Sequence, residues 1–130
     1  MLFRSATDIT GFGLLGHSVQ MAENSRAGIT IFSASVPVFP EAAGFAEQGL
    51  CPAGLHRNRE FYSPSVIIND KIPSNTQDIL FDPQTSGGLL ISLAPSKARL
   101  LLDKLRGAGV KEAAIIGEVT RQPRGKVTVR

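Results

Sequence analysis

Tryptophan is absent from this 130-residue chain, and tyrosine and cysteine each occur once. With seven phenylalanines as nearly the whole aromatic complement, the core must be assembled from Leu, Ile, Val and Ala. The lone Cys51 excludes an internal disulfide framework and a multi-cysteine zinc site, and it suits a reducing, cytoplasmic setting. Long apolar runs are missing too. Gly87 to Leu93 and Ala113 to Ile116 are far shorter than the roughly 20 residues a membrane-spanning helix needs. No basic run reaches five residues, and the net charge of +3 comes from fourteen basic and eleven acidic side chains. Nucleic acid is therefore not an expected partner, and only a weak preference for anionic ligands remains. The opening Met1 to Asp8 lacks a secretory apolar core and runs almost at once into the first motif, so a piece of a longer protein is expected.

What is present reads as one globular domain over residues 1–130, because 42% apolar and 19% charged residues lie well outside the disordered range. Phe12, Leu15, Val19 and Ala22 share one face of an expected helix over 12–23, with Asp8 or Thr10 placed to cap it. Residues 27–32 read as a short β-branched strand, and 40–48 as a helix opened by Pro40 and closed by Gly49. Residues 49–75, with Pro52, Gly54, Pro64 and Pro73, read as irregular apart from a strand at 65–68. A strand over 88–93 is nearly all apolar, as befits burial on both faces or at a core edge. Ser96 then caps a helix whose stripe is Ala98, Leu101, Leu102, Leu105 and Ala108, stopped at Gly107 and Gly109. Strands at 113–119 and 126–129 follow. The class predicted is α+β, a mixed sheet with helices packed on it.

Two segments carry candidate chemistry. In Thr7 to Gly16, the glycines at 11, 13 and 16 satisfy the G-x-G-x-x-G pattern of dinucleotide sites. The pattern lacks its context, since Arg4 to Ile9 is poor hydrophobic-strand material and no acid closes the next strand near Ala34. The same residues put a carboxylate, two hydroxyls and glycine backbone at a helix entrance, where anions gather and Mg²⁺ can be shared with a phosphate. Spacing alone favours Asp8 as a simple cap. The second segment, Asp82 to Leu90, sets an acid, a proline, two hydroxyls and two glycines before a strand, and alone it reads as an Asp-Pro turn.

Together the segments resemble one family. Thr7-Asp8-Ile9-Thr10-Gly11-Phe12-Gly13-Leu14-Leu15-Gly16-His17 is similar to the T-D-[VI]-T-G-F-G-L-L-G-H signature of selenophosphate synthetases, and Asp82-Pro83-Gln84-Thr85-Ser86-Gly87-Gly88-Leu89-Leu90 to their D-P-Q-T-S-G-G-L-L segment. Between them Gly54 to Asn58 resembles a G-x-x-x-N element, and Ile116 to Val119 the I-G-E-V strand. Shorter versions occur across the wider superfamily of aminoimidazole ribonucleotide (AIR) synthetases and hydrogenase-maturation dehydratases. The Phe-Gly-Leu-Leu-Gly-His continuation selects the selenium enzymes.

The resemblance implies the C-terminal domain of an AIR synthase-related enzyme, here one that makes selenophosphate, AMP and orthophosphate from selenide, ATP and water. It implies an N-terminal domain that binds ATP and Mg²⁺ and supplies the catalytic Cys or selenocysteine and lysine, an intact homodimer, and no catalytic residue within this chain. Asp8 maps onto a magnesium ligand. Thr10, Gly11, Gly13, Asn58, Thr85 and Ser86 are candidates for lining the phosphate cleft, with turn formation explaining the last three equally well. By itself the domain is expected to be inactive. His17 reads as a buried, hydrogen-bonded histidine, His56 as exposed, Cys51 as a packing thiol, and Lys97, Arg99, Lys104 and Arg106 as a solvated helix face. The alternatives are the same domain from another AIR synthase-related enzyme, or a non-catalytic folding or dimerisation module.

Overall fold

Ile29 and Ile31 lie two residues apart and so project from the same face of a strand, and the fold is organised about that strand. The structure, a computed structural model, describes residues 5–130. In chain order its strands and longer helices are β1 (Ser5–Asp8), α1 (Gly13–Ser25), β2 (Gly28–Ile31), α2 (Pro40–Glu47), α3 (Ala53–Tyr62), β3 (Val66–Ile68), α4 (Ser74–Phe81), β4 (Leu89–Ser92), α5 (Pro95–Gly107), β5 (Gly117–Thr120) and β6 (Val127–Val129). Met1 to Arg4, the first half of the opening segment expected to carry no secretory core, lie outside the described residues.

The α+β class holds, with the strands divided between two sheets. Four of them form a mixed sheet ordered β3-β6-β2-β5, with β2 antiparallel to β5 and parallel to β6. Ile29 sits opposite Val119 and Val127, and Val127 opposite Val66, so apolar residues line up across the sheet. Leu15, Val19 and Ala22 of α1 join Ile29, Ile31, Val127 and Val129 in one core, and Leu55, Tyr62, Leu80 and Phe81 extend it beneath α3 and α4. The other two strands, β1 and β4, form a separate antiparallel ribbon with Asp8 opposite Leu89 and Ala6 opposite Ile91.

Several local expectations change. Asp8 and Thr10 do not cap α1 with their side chains: Asp8 ends a strand, Phe12 occupies the cap position, and the Thr10 carbonyl receives the Gly13 N–H at 3.0 Å. The segment judged too polar for a strand is β1, because pairing with β4 supplies its backbone partners and leaves its polar faces partly solvated. Residues 49–75 hold all of α3 and the start of α4. Pro52 and Pro73 stand at the N-caps of those helices, so prolines that read as breakers are entry points. Helix α5 starts at Pro95 after Ala94, not at a Ser96 cap, and Leu102 is its buried side chain among the described residues. Residues 113–116 lie outside β5. In β4 the core-edge alternative holds, since Leu90 packs on the core while Leu89 is 69% exposed.

Candidate functional site

The ladder joining β1 to β4 does not stop at the strand ends. The Ile9 N–H donates to the Gly88 carbonyl at 2.8 Å, the Gly87 N–H to the Ile9 carbonyl at 3.0 Å, and the Gln84 N–H to the Thr10 carbonyl at 3.0 Å. These bonds zip the two motif segments side by side, although 64 residues (18–81) separate them in the chain. Gly87 is required by that closeness, because a Cβ there would come within 2.7 Å of the Ile9 side chain. Gly88, at φ +77°, turns the chain into β4.

The result is an open cavity of about 260 Å³ lined by Asp8, Ile9, Thr10, Thr85, Ser86, Gly87, Gly88 and Leu89. Four of the seven candidate residues therefore meet there: Asp8, Thr10, Thr85 and Ser86. The Asp8 side chain is exposed, and among the described residues its carboxylate accepts no hydrogen bond, leaving its oxygens available. Thr85 and Ser86 are exposed at the facing lip.

Gly11, Gly13 and Asn58 stand outside the lining and support it. Gly13 has φ +72°, and a Cβ on it would lie 2.8 Å from the Asp82 carbonyl oxygen. Gly16 likewise sits against the Tyr62 ring, while nothing lies within 4 Å of a Cβ at Gly11. Two glycines of the G-x-G-x-x-G pattern thus serve packing. No dinucleotide unit surrounds them, because β1 lies in the ribbon and β2 in the other sheet. Asn58 is buried and donates from Nδ2 to the Gly11 carbonyl at 2.9 Å and the Phe81 carbonyl at 3.0 Å. That amide clasps the first motif to the residue preceding the second.

His17 is buried on α1 with its Nε2 3.1 Å from the Thr10 N–H and 3.0 Å from the Thr10 hydroxyl. An N–H can only donate, so Nε2 accepts and the ring proton belongs on Nδ1. Burial lowers the imidazole pKa, and the negative Asp8 opposes this in part. Burial also raises the Asp82 carboxyl. The Cys51 thiol is pushed up by burial first and by Asp78 and Asp82 next, which suits a packing thiol at the core margin and not a nucleophile. His56 is exposed, on α3 instead of the irregular stretch expected.

Chemically the cavity offers one carboxylate, three hydroxyls and glycine backbone. Such oxygen donors suit a hard divalent cation shared with phosphate oxygens. Among the described residues no group of three or more His, Cys, Asp or Glu side chains gathers to hold an ion unaided. The donor set fits Mg²⁺ as one contributor to a larger coordination shell.

The fold and the paired motifs define a class: the chain belongs to the family described as AIR synthase related protein, C-terminal domain, whose profile matches residues 2–130. Within that class its curated relatives include the selenide, water dikinase of Pelobacter propionicus, 44% identical over 96% of this chain, and that of Clostridioides difficile, 45% identical over 96%. The chain spans 36% of the length of each. The crystal structure of hydrogenase maturation protein HypE superposes with a TM-score of 0.58 at 21% identity, covering 95% of this chain and 32% of that one, which establishes the shared fold.

Proposed function

We propose that this chain is the C-terminal domain of a selenide, water dikinase and supplies one magnesium ligand, Asp8, to an active site completed by an N-terminal domain. The observation that supports this most is the zipped loop pair, which leaves the Asp8 carboxylate uncommitted beside the Thr85 and Ser86 hydroxyls. The similarity to proteins named selenide, water dikinase over 96% of the chain supports the reaction that the motif resemblance implies, ATP, selenide and water giving selenophosphate, AMP and orthophosphate.

Phosphoryl transfer needs charge neutralisation and positioning more than covalent help, and Mg²⁺ would supply the neutralisation when bound. Asp8 would hold that ion, while Thr10, Thr85 and Ser86 would shape the wall facing the phosphates. The catalytic Cys or selenocysteine and the lysine would come from the N-terminal domain, in a cytoplasmic homodimer. One carboxylate cannot strip Mg²⁺ of its water, so this domain alone turns over no ATP. Selenide-dependent ATP consumption by the purified domain contradicts that expectation. In the full-length enzyme, Asp8→Asn is expected to lower turnover and shift the magnesium dependence upward. Unchanged turnover with an unchanged magnesium curve favours the other reading, a module that serves only folding or dimer contacts.

A further inference from the structure

The buried His17 imidazole touches the cavity through a single neighbour, and that neighbour is a wall residue. Its Nε2 receives both the Thr10 N–H at 3.1 Å and the Thr10 hydroxyl at 3.0 Å, one turn inside α1. Thr10 is the hinge of the first motif: its carbonyl takes the Gln84 N–H from the second motif and the Gly13 N–H that begins α1. The Ile9 carbonyl, bonded to the Gly87 N–H, fixes the direction of the Thr10 N–H in the same peptide plane, so without a buried acceptor that N–H would be left unpaired and the hydroxyl would be free to turn toward solvent. The ring is itself fixed, with the Phe12 ring centroid 5.4 Å away and Tyr62 packed beyond Phe12 at 6.0 Å.

We infer that His17 is a positioning residue, whose Nε2 lone pair locks the Thr10 backbone and hydroxyl and so fixes the wall from which Asp8 is presented. This rests on the reading of the cavity as the phosphate and magnesium site. A wall fixed by a buried partner holds a ligand in one geometry; partners bonded directly to a ligand strengthen metal sites by roughly ten- to a hundredfold, and His17, acting through Thr10, belongs at the lower end. A histidine whose role ended with packing would need only its volume. The two hydrogen bonds require an acceptor at one point in space, which apolar residues of similar size do not offer.

The test uses the full-length protein with His17→Leu, His17→Gln and Asp8→Asn. Gln carries an amide oxygen that reaches about as far as Nε2, whereas Leu fills space without an acceptor. Three quantities are read: hydrogen exchange of the Thr10 amide, the magnesium concentration giving half-maximal turnover, and the melting temperature. His17→Leu is expected to speed Thr10 amide exchange and raise the magnesium requirement on the order of tenfold, with Gln restoring both. A Leu variant that only melts earlier, with Thr10 exchange and magnesium requirement unmoved, overturns the inference. So does a Gln variant no better than Leu. If Leu does not fold, the Gln variant decides alone: wild-type exchange and magnesium dependence support the role, and losses in both refute it. Should Asp8→Asn leave the magnesium curve unchanged while the Thr10 amide still follows the Leu and Gln pattern, the metal reading falls and the positioning of Thr10 stands.

Discussion

Burial holds the His17 imidazole below its ordinary pKa of 6.5, so the folded chain resists a proton that the unfolded chain accepts. Between those two values the unfolded state binds more protons, and stability therefore rises with pH. The histidine's contribution is complete above about pH 6.5 and is lost as pH falls through the lowered folded value. Asp82 acts with the opposite sign: its raised carboxyl pKa favours the fold at acid pH, and that contribution is lost as pH rises through the raised value. Urea midpoints at pH 7.5 and 5.5 should therefore fall on acidification in the wild type, and less in His17→Gln. A second residue-scale test concerns Ser18, fully buried with a hydroxyl that finds no partner among the described residues. Ser18→Ala removes that unsatisfied group and should leave the melting temperature unchanged or raised. Asn58→Ala does the reverse, stranding the Gly11 and Phe81 carbonyls, at a cost of about 1–3 kcal/mol in chemical denaturation.

At the scale of elements, the glycines separate into kinds. Gly13→Ala forces a Cβ into left-handed backbone 2.8 Å from the Asp82 carbonyl oxygen, and Gly87→Ala presses one into Ile9 at 2.7 Å. Both should lose roughly 1–3 kcal/mol by calorimetry. Gly11→Ala, with open space at its Cβ, should lose much less. The sequence carried α1, β2 and β6 to within two residues because their apolar residues build the core, and α2 because Pro40 and Gly49 mark its ends, although none of its side chains is buried. It missed α3, whose buried positions Leu55, Asn58 and Tyr62 include two polar-capable side chains, so the helical period does not register as hydrophobic. It missed β1 because Ser5 to Asp8 is a strand only by virtue of its partner, an effect no local propensity encodes. The cavity was half legible. The motif resemblance named Asp8, Thr10, Thr85 and Ser86, which the fold brings together. It also named Gly11, Gly13 and Asn58, which lie outside the lining. His17 was expected to be buried and bonded. Its partner Thr10 lies across a strand-to-helix junction whose geometry cannot be inferred from spacing.

For the whole molecule, the distribution of exposed apolar surface matters most. The ribbon turns Leu89 (69% exposed) and Ile91 (40% exposed) outward on the face that also carries Asp8. Apolar side chains beside a charged ligand candidate suit a face that a neighbouring domain covers, in keeping with a chain that spans 36% of its relatives' length. Among the described residues no helix is long and apolar enough to cross a membrane. Separated from its proposed N-terminal domain, the chain should self-associate in concentration-dependent light scattering, and Leu89→Glu should reduce that association. The role proposed for this cavity depends on the Asp8 carboxylate reaching a metal. Manganese binding to the full-length enzyme with ATP, followed by the paramagnetic resonance of the free ion, measures this without requiring turnover. Asp8→Asn should weaken at least one manganese site on the order of tenfold, and a binding curve superimposable on that of the wild type would contradict the assignment.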